Sequence, residues 1–501
     1  MSFLENLAED TNYGYTENGA IKHDSTLNPV LDMFALGGAY RKRGNKDIEE
    51  LFGDAYRTNK DLALKCLFYL RDVRGGQGER RFFRVAYKWL IKNDIQCASR
   101  NLTHIPTFGR WDDLIDICYG TVLADKMFDI IKLQLTADMN SDTPSLLAKW
   151  MPSENASNKE TKLRAMWFAQ KLVMSARDYR KMLSILRKKI KVLETSMSAN
   201  NWDDIEFDKI PALAGLKYQH AFATREETRD RYIDFINNSN TKVNADVLTP
   251  FDIARRVFAG NYFIKNDDDR AALVKYWDNL KDYYCGREEN AIAVVDVSGS
   301  MTGTPMAAAV GMGAYVAEKS HGPFANHFIT FSAHPQLVKF EGDDIVDKML
   351  RCRDADWGMN TNIEAVMDLL LNTAIKHHSP QSDLPARLYI FSDMEFDRCL
   401  TSYKDGGYEY YSVFRDIPDT SEYETLFESI ERKWAKAGYK MPKITFWNLD
   451  ARTNNIPAIG ENFNYISGFS MSMMEAVMAG KTALDMMLDV LLSKRYEVIS
   501  A

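Results

Sequence analysis

The sequence predicts a two-part fold: a layer of short α-helices followed by a doubly wound α/β domain. Three observations carry this reading. Across residues 27–251, apolar residues recur at helical spacing and strand signals are few. Beyond Arg287, short apolar runs alternate with helical patterns, the order that builds a parallel sheet covered by helices. One of those runs, residues 291–295, is continuously apolar and ends in Asp296, Ser298 and Ser300. A strand buried on both faces delivers polar groups in this way to the carboxyl edge of its sheet.

In chain order, residues 1–27 read as a polar, loosely ordered arm containing Asn12, Gly14, Asn18 and Gly19. Residues 28–285 read as the helical domain. Helices are expected near 27–40, 46–57, 60–71, 78–93, 96–104, 110–119, 122–138, 143–151, 159–174, 176–197, 217–222 and 226–239. Many short helices with short connections suggest a helical repeat or solenoid, although no fixed sequence period is visible. Residues 70–81 place Arg71, Arg74, Arg80 and Arg81 around Gly75, Gly76 and Gly78. The stretch lacks Gly-Lys-Ser/Thr and follows no strand, which argues against a phosphate-cradling loop. A helix-to-helix turn is preferred there over direct RNA contact. One or two helices then lead into the second domain, and Asn266 with the three following aspartates reads as a helix cap.

Residues 286–501 form that second domain. Strands are expected at 291–297, 327–332, 336–340, 387–392, 443–448 and 463–467. Helices are expected near 304–320, 343–352, 362–376, 420–437, 470–479 and 482–496. Gly299 permits a sharp turn between the two serines, and Pro305 suits the first turn of the helix that follows. A carboxylate and two hydroxyls at a strand's carboxyl end suit a hard cation with oxygen ligands, such as Mg²⁺. The same three residues also read as a simple helix cap. Residues 398–411, with two glycines and four tyrosines, read as a surface loop.

The stretch from Asp296 to Ser300 resembles the first metal-site loop, Asp-x-Ser-x-Ser, of a von Willebrand factor A (VWA) domain. The resemblance implies a metal-ion-dependent adhesion site holding Mg²⁺ or another divalent cation. Its ligands would be Asp296, Ser298 and Ser300, with Thr361 from the Trp357-Gly-Met-Asn-Thr-Asn362 loop and Asp393 after the strand at 387–392. Met394 follows Asp393 where many VWA domains have glycine. Other phrases, Lys149-Trp-Met-Pro-Ser153, residues 179–187 and residues 202–211, resemble the TROVE-related, Ro-like proteins and an allied branch of VWA proteins from viruses, phages, fungi and plants. That resemblance runs from about residue 27 to the C-terminal helix and is closer to the allied branch than to Ro itself. It implies a ring or horseshoe of HEAT-like helical pairs braced by the VWA domain. Ro proteins bind structured small RNAs on the outer face of such a ring and take single-stranded ends of misfolded RNAs into its hole. No Ro contact residue aligns securely enough to be transferred.

The composition fits a folded protein, with 46% hydrophobic and 27% charged residues. No apolar run is long enough to span a bilayer, the first ten residues lack a signal-peptide pattern, and the six cysteines are scattered. A cytoplasmic protein with reduced thiols is expected. The net charge of −7 is unevenly spread: residues 1–285 carry 43 Lys and Arg against 40 Asp and Glu, and residues 286–501 carry 20 against 30. A polyanion would therefore bind the first part. Residues 159–191 concentrate 11 Lys and Arg against Glu160 and Asp178. A helix there buries a seam of Tyr179, Leu183, Leu186, Ile190 and Leu193, which turns Arg177, Arg180, Lys181, Arg187, Lys188 and Lys191 outward. Such a face suits RNA phosphates, and it equally suits a solvated surface paired to neighbouring acids. Trp167 and Phe168 sit at helical spacing and read as core, not as base-stacking platforms.

Catalysis is not expected. Gly-x-Ser-x-Gly and His-Glu-x-x-His are absent and the eight histidines form no ligand pattern, although Asp393, Glu395 and Asp397 are spaced to hold a second cation. The expected function is a non-catalytic, Ro-like ribonucleoprotein component with a metal-dependent VWA surface open to an acidic protein partner. A VWA protein-binding scaffold without an RNA role is the alternative, and a metal-dependent enzyme the third reading.

Overall fold

The computed structural model describes residues 12–190, 193–243, 245, 247–259, 264, 266–331, 335–353, 361–397 and 426–501. The expected loop at 398–411, the start of the expected helix at 420–437, residues 357–360 and Lys191 lie outside the described residues. The chain divides into two compact units that are not contiguous in sequence. The α/β unit comprises residues 1–43, 250–258 and 282–488; the helical unit comprises residues 44–249, 259–281 and 489–501.

This division departs from cuts after residues 27 and 285, and the packing of three segments explains why. Helix Pro29–Leu36, capped by the side chain of Asn28, is followed by Gly38, whose N–H donates to Ser467 Oγ at 2.9 Å. A Cβ on Gly38 would stand 2.7 Å from the Ser467 carbonyl oxygen, so this stretch lies directly against the sheet. Helix Pro250–Phe258 belongs to the α/β unit because it packs on helix Thr304–Lys319, where Gly311 lets Pro250 and Ala254 approach. The C-terminal segment belongs to the helical unit because Arg495 and Tyr496 both donate to the buried carboxylate of Asp72.

The α/β unit contains a six-stranded sheet. Numbering strands along the chain, β1 (Tyr13–Tyr15) and β2 (Ile21–His23) form a separate antiparallel hairpin. The sheet holds β3 (Ala291–Val295), β4 (His327–Thr330), β5 (Leu337–Lys339), β6 (Arg387–Ser392), β7 (Lys443–Asn448) and β8 (Phe463–Ser467). The spatial order is β5-β4-β3-β6-β7-β8, parallel throughout except for β5 at the edge. From β3 the chain builds outward to β4 and β5, then returns to lay β6 on its other side. The β3/β6 border is thus a topological switch point, where loops diverge and leave a crevice at the carboxyl ends. Strands β3 and β6 are buried along their whole length: β3 is apolar throughout, and β6 has an apolar centre, Leu388 to Phe391, between Arg387 and Ser392. The hairpin corrects the expectation of a loosely ordered arm: Gly14 pairs with Lys22 in register, and His23 bridges to Ile456.

The helical unit follows the expected pattern closely. Side-chain caps start several helices: Asn59 for Lys60–Arg71, Asp94 for Ile95–Asn101, Asn158 for Lys159–Lys171 and Ser175 for Ala176–Lys189. The expected helix at 176–197 is two helices, Ala176–Lys189 and Leu193–Ser198. Phe68 anchors one part of the core, meeting Phe83, Tyr87 and Phe108 edge-on at 5.3–6.2 Å. Trp202, Phe207, Phe222 and Tyr232 form another. The glycine-rich stretch at 70–81 is a helix-to-helix turn, between Lys60–Arg71 and Arg80–Asn93. A Cβ on Gly76 would stand 1.9 Å from the backbone oxygen of Tyr69. Gly76→Ala is therefore expected to destabilise the protein by about 1–3 kcal/mol, the usual range for overpacking, and thermal unfolding checks this.

Candidate functional site

The carboxyl ends of β3 and β6 bring the two proposed carboxylate ligands together. Val295 pairs with Phe391, so Asp296 emerges beside Ser392 and one residue before the level of Asp393. Asp296 is fully buried. Its Oδ2 accepts from Ser392 Oγ at 2.5 Å and its Oδ1 from the Ser298 N–H at 2.9 Å. Burial, and after it the nearby Asp393 carboxylate, raise the Asp296 carboxyl above the usual carboxylate range. Ser298 Oγ and Ser300 Oγ lie 3.0 Å apart, the first buried and the second exposed. Asp393 is buried; its Oδ1 accepts the Glu395 N–H at 3.2 Å and its Oδ2 accepts Arg452 Nη2 at 2.8 Å.

Thr361 is held on the same face, just before helix Ile363–His377, which Asn362 caps. Its hydroxyl lies 3.0 Å from both the Glu395 carbonyl oxygen and Asp397 Oδ1, and its N–H donates to Asp397 Oδ2 at 2.9 Å. Glu395 thus links Thr361 to Asp393 through its own carbonyl and N–H. The donor set of Asp296, Ser298, Ser300, Thr361 and Asp393 is all oxygen, which fits a hard divalent ion; of its two buried carboxylates, Asp393 is met by the Arg452 guanidinium.

The third loop differs from the glycine-containing pattern. Met394 adopts φ 65°, the left-handed region that favours glycine, and its side chain is buried. The position costs roughly 1–2 kcal/mol of backbone strain, offset by bonds around it. The Met394 N–H donates to Ser392 Oγ at 3.0 Å and its carbonyl accepts Asn455 Nδ2. Glu395 and Asp397 do not offer a free second cation site. Glu395 Oε1 accepts Thr453 Oγ1 at 2.7 Å, Oε2 accepts the Glu17 N–H at 2.7 Å, and both Asp397 oxygens are taken by Thr361. Among the described residues, no cluster of three or more His, Cys, Asp or Glu is arranged to hold a metal.

Three residues of this face carry no sequence motif: Glu17, Asn18 and Arg452. The β1–β2 turn places Asn18 Nδ2 at 3.1 Å from Thr361 Oγ1 and 2.7 Å from the Glu395 carbonyl oxygen. Arg452 spans Asp393 and Glu17, with Nη1 at 2.7 Å from Glu17 Oε2.

The basic helix Ala176–Lys189 lies in the helical unit. It buries Tyr179, Met182, Leu183 and Leu186, and exposes Arg177, Arg180, Lys181, Lys188 and Lys189. Arg177, Lys181 and Lys188 form no ion pair among the described residues, while Arg180 lies 3.8 Å from Glu154. Arg187 corrects the expected set. Its guanidinium turns inward and donates to the carbonyls of Ala148 at 2.8 Å and Met151 at 3.0 Å and to Ser153 Oγ at 2.9 Å. Its burial lowers its pKa. Position 187 lies one turn beyond Leu183, on the flank of the apolar seam, from which a long side chain reaches back over the neighbouring segment. Phe168 is fully buried and Trp167 meets Tyr119, Phe128 and Phe168 edge-on, so this pair is packing.

Two family models match the chain, both described as domains of unknown function: DUF2828 over residues 16–130 and 159–282, and DUF7788 over residues 290–495. The chain is 30% identical over 514 residues to "Uncharacterized protein L728" of Acanthamoeba polyphaga mimivirus, an alignment covering 93% of this chain and 85% of that protein. Among solved structures it is similar to the RO (RSR) protein of Deinococcus radiodurans, with 12% identity and a TM-score of 0.48, over 93% of this chain and 99% of that one. Among the described residues, no helix is long and apolar enough to cross a membrane.

Proposed function

This chain belongs to the same protein family as L728 of Acanthamoeba polyphaga mimivirus, and from that premise we propose that it is a non-catalytic, Ro-like RNA-binding protein with a VWA-type metal-dependent interaction surface. The observation that carries the RNA reading is the outward face of helix Ala176–Lys189. Arg177, Arg180, Lys181 and Lys188 are exposed there over a buried apolar seam. Four cations on one rigid face release counterions when they meet phosphates, and that release drives binding. The proposed RNA-contacting set therefore excludes Arg187.

The second element is the oxygen-lined face of the α/β unit. Asp296, Ser298, Ser300, Thr361 and Asp393 would hold Mg²⁺ or another divalent cation, which when bound would offer a coordination position to an acidic group of a protein partner. The chain's own residues position the donors: Ser392 fixes Asp296, and Glu395 fixes both Thr361 and Asp393. No nucleophile or general base is assigned, because the neighbouring Glu395 and Asp397 carboxylates are already engaged by hydrogen bonds.

Asp296→Ala separates the two elements. It is expected to abolish detectable Mg²⁺ or Mn²⁺ binding by calorimetry and to leave RNA affinity unchanged within about twofold, since the basic helix belongs to the other unit. Loss of RNA binding in that variant, with metal binding retained, would reverse the assignment.

A further inference from the structure

All five candidate ligands come from the motif loops, yet two of them, Thr361 and Asp393, are already engaged by groups from outside those loops. Asn18 Nδ2 donates to Thr361 Oγ1, and Arg452 Nη2 donates to Asp393 Oδ2. Both donors belong to one connected assembly. Arg452 holds Glu17 through its other Nη, the Glu17 N–H donates to Glu395 Oε2, and Thr16 Oγ1 donates to the Phe396 carbonyl at 2.7 Å. Gly19 bridges Asp397. The turn at residues 16–19 therefore sits on the metal face through backbone, amide and carboxylate contacts. The Arg452 guanidinium is itself about one-third exposed, and its buried Nε has no acceptor among the described residues. It is thus held by its two Nη groups alone, between two carboxylates.

We propose that Arg452 is the stand-in cation of this face and that it couples the β1–β2 hairpin to metal loading: a divalent ion on Asp393 expels Arg452, Glu17 follows its ion-pair partner, and the turn at 16–19 lifts from the slot that a carboxylate-bearing loop of a partner then occupies. The proposal rests on the metal reading above. Its physical core is that a guanidinium and a divalent ion on one carboxylate repel each other strongly in a poorly hydrated site. The turn shows what chemistry the slot accepts: a backbone N–H for Glu395, an amide for Thr361 and a carboxylate for Arg452. By linkage, whatever weakens Arg452 on Asp393 must strengthen metal binding, and whatever binds metal must loosen the hairpin.

The test uses the full chain, Mn²⁺ as the probe, and hydrogen exchange of the hairpin amides as a readout independent of any activity. Mn²⁺ is expected to speed exchange at Gly19 and Ala20 in wild type. Arg452→Gln is expected to bind Mn²⁺ about tenfold tighter, with hairpin exchange no longer responding to the ion. Glu17→Gln, which removes one of the two carboxylates that hold Arg452, is expected to tighten Mn²⁺ binding by less than Arg452→Gln does while uncoupling the hairpin. Mn²⁺ binding that Asp296→Ala removes, with hairpin exchange unmoved in wild type and no gain in Arg452→Gln, overturns the coupling and leaves the metal reading standing. Absence of Mn²⁺ binding in both wild type and Arg452→Gln overturns both.

Discussion

Reversing Arg177, Arg180, Lys181 and Lys188 together to Glu is expected to weaken RNA binding at low salt by at least about a hundredfold. All four side chains project from one helix face, and the seam of Tyr179, Met182, Leu183 and Leu186 beneath them stays intact. Exposed substitutions of this kind cost little stability, so the variant should fold. Its residual binding should also respond less to salt, because each lost phosphate contact removes about 0.7–0.9 from the logarithmic slope. Arg187→Glu is expected to behave differently. It removes three hydrogen bonds to Ala148, Met151 and Ser153, so it should lower thermal stability. Circular dichroism melting beside gel-shift titration distinguishes the two outcomes. A quadruple variant that binds RNA as wild type does would place the RNA surface elsewhere.

Asp113→Ala is expected to produce the largest loss of stability, about 3–5 kcal/mol. Arg71 and Asp113 are both essentially inaccessible to solvent, and the Arg71 Nε and Nη2 atoms lie 2.8 and 2.7 Å from Asp113 Oδ2. Asp113 Oδ1 also accepts Arg84 Nε at 2.7 Å, and Oδ2 caps its own helix by accepting the Arg110 N–H at 2.9 Å. Removing the carboxylate strands a buried guanidinium and uncaps helix Trp111–Cys118 in one step. A fall in Tm of roughly 6–20 °C follows for a unit of this size. Asp112→Ala serves as the control. Asp112 is about one-quarter exposed and pairs with Arg84 and Arg80, so its loss should cost about 1 kcal/mol or less. A mild Asp113→Ala phenotype would mean that water enters the site and hydrates Arg71.

Much of this was legible in the sequence because the signals were local. The strands at 387–392, 443–448 and 463–467 and the helix at 60–71 begin and end where their apolar runs and caps do. The Asp-x-Ser-x-Ser loop and Asp393 were readable because strand ends fix where such residues emerge. What escaped depends on contacts across hundreds of residues. The β1–β2 hairpin has only three residues per strand, and its turn is secured by Thr361, Glu395 and Phe396, which no local pattern announces. Arg452 lies in a polar loop after β7 and acquires meaning only from Asp393 and Glu17. Arg187 escaped for a different reason: helical periodicity gives the angle of a Cα, not the reach of a guanidinium. The division into discontinuous units escaped because the segments at 250–258 and 489–501 carry helical patterns that suit either unit equally.

The most direct test of the central claim is the salt dependence of wild-type RNA affinity, measured by filter binding with one structured and one single-stranded RNA. Four phosphate contacts predict that raising salt from about 50 to about 200 mM weakens binding roughly 50- to 150-fold. No affinity for either RNA at the lower salt, or an affinity indifferent to salt, contradicts the account and leaves the metal face as the protein's binding surface.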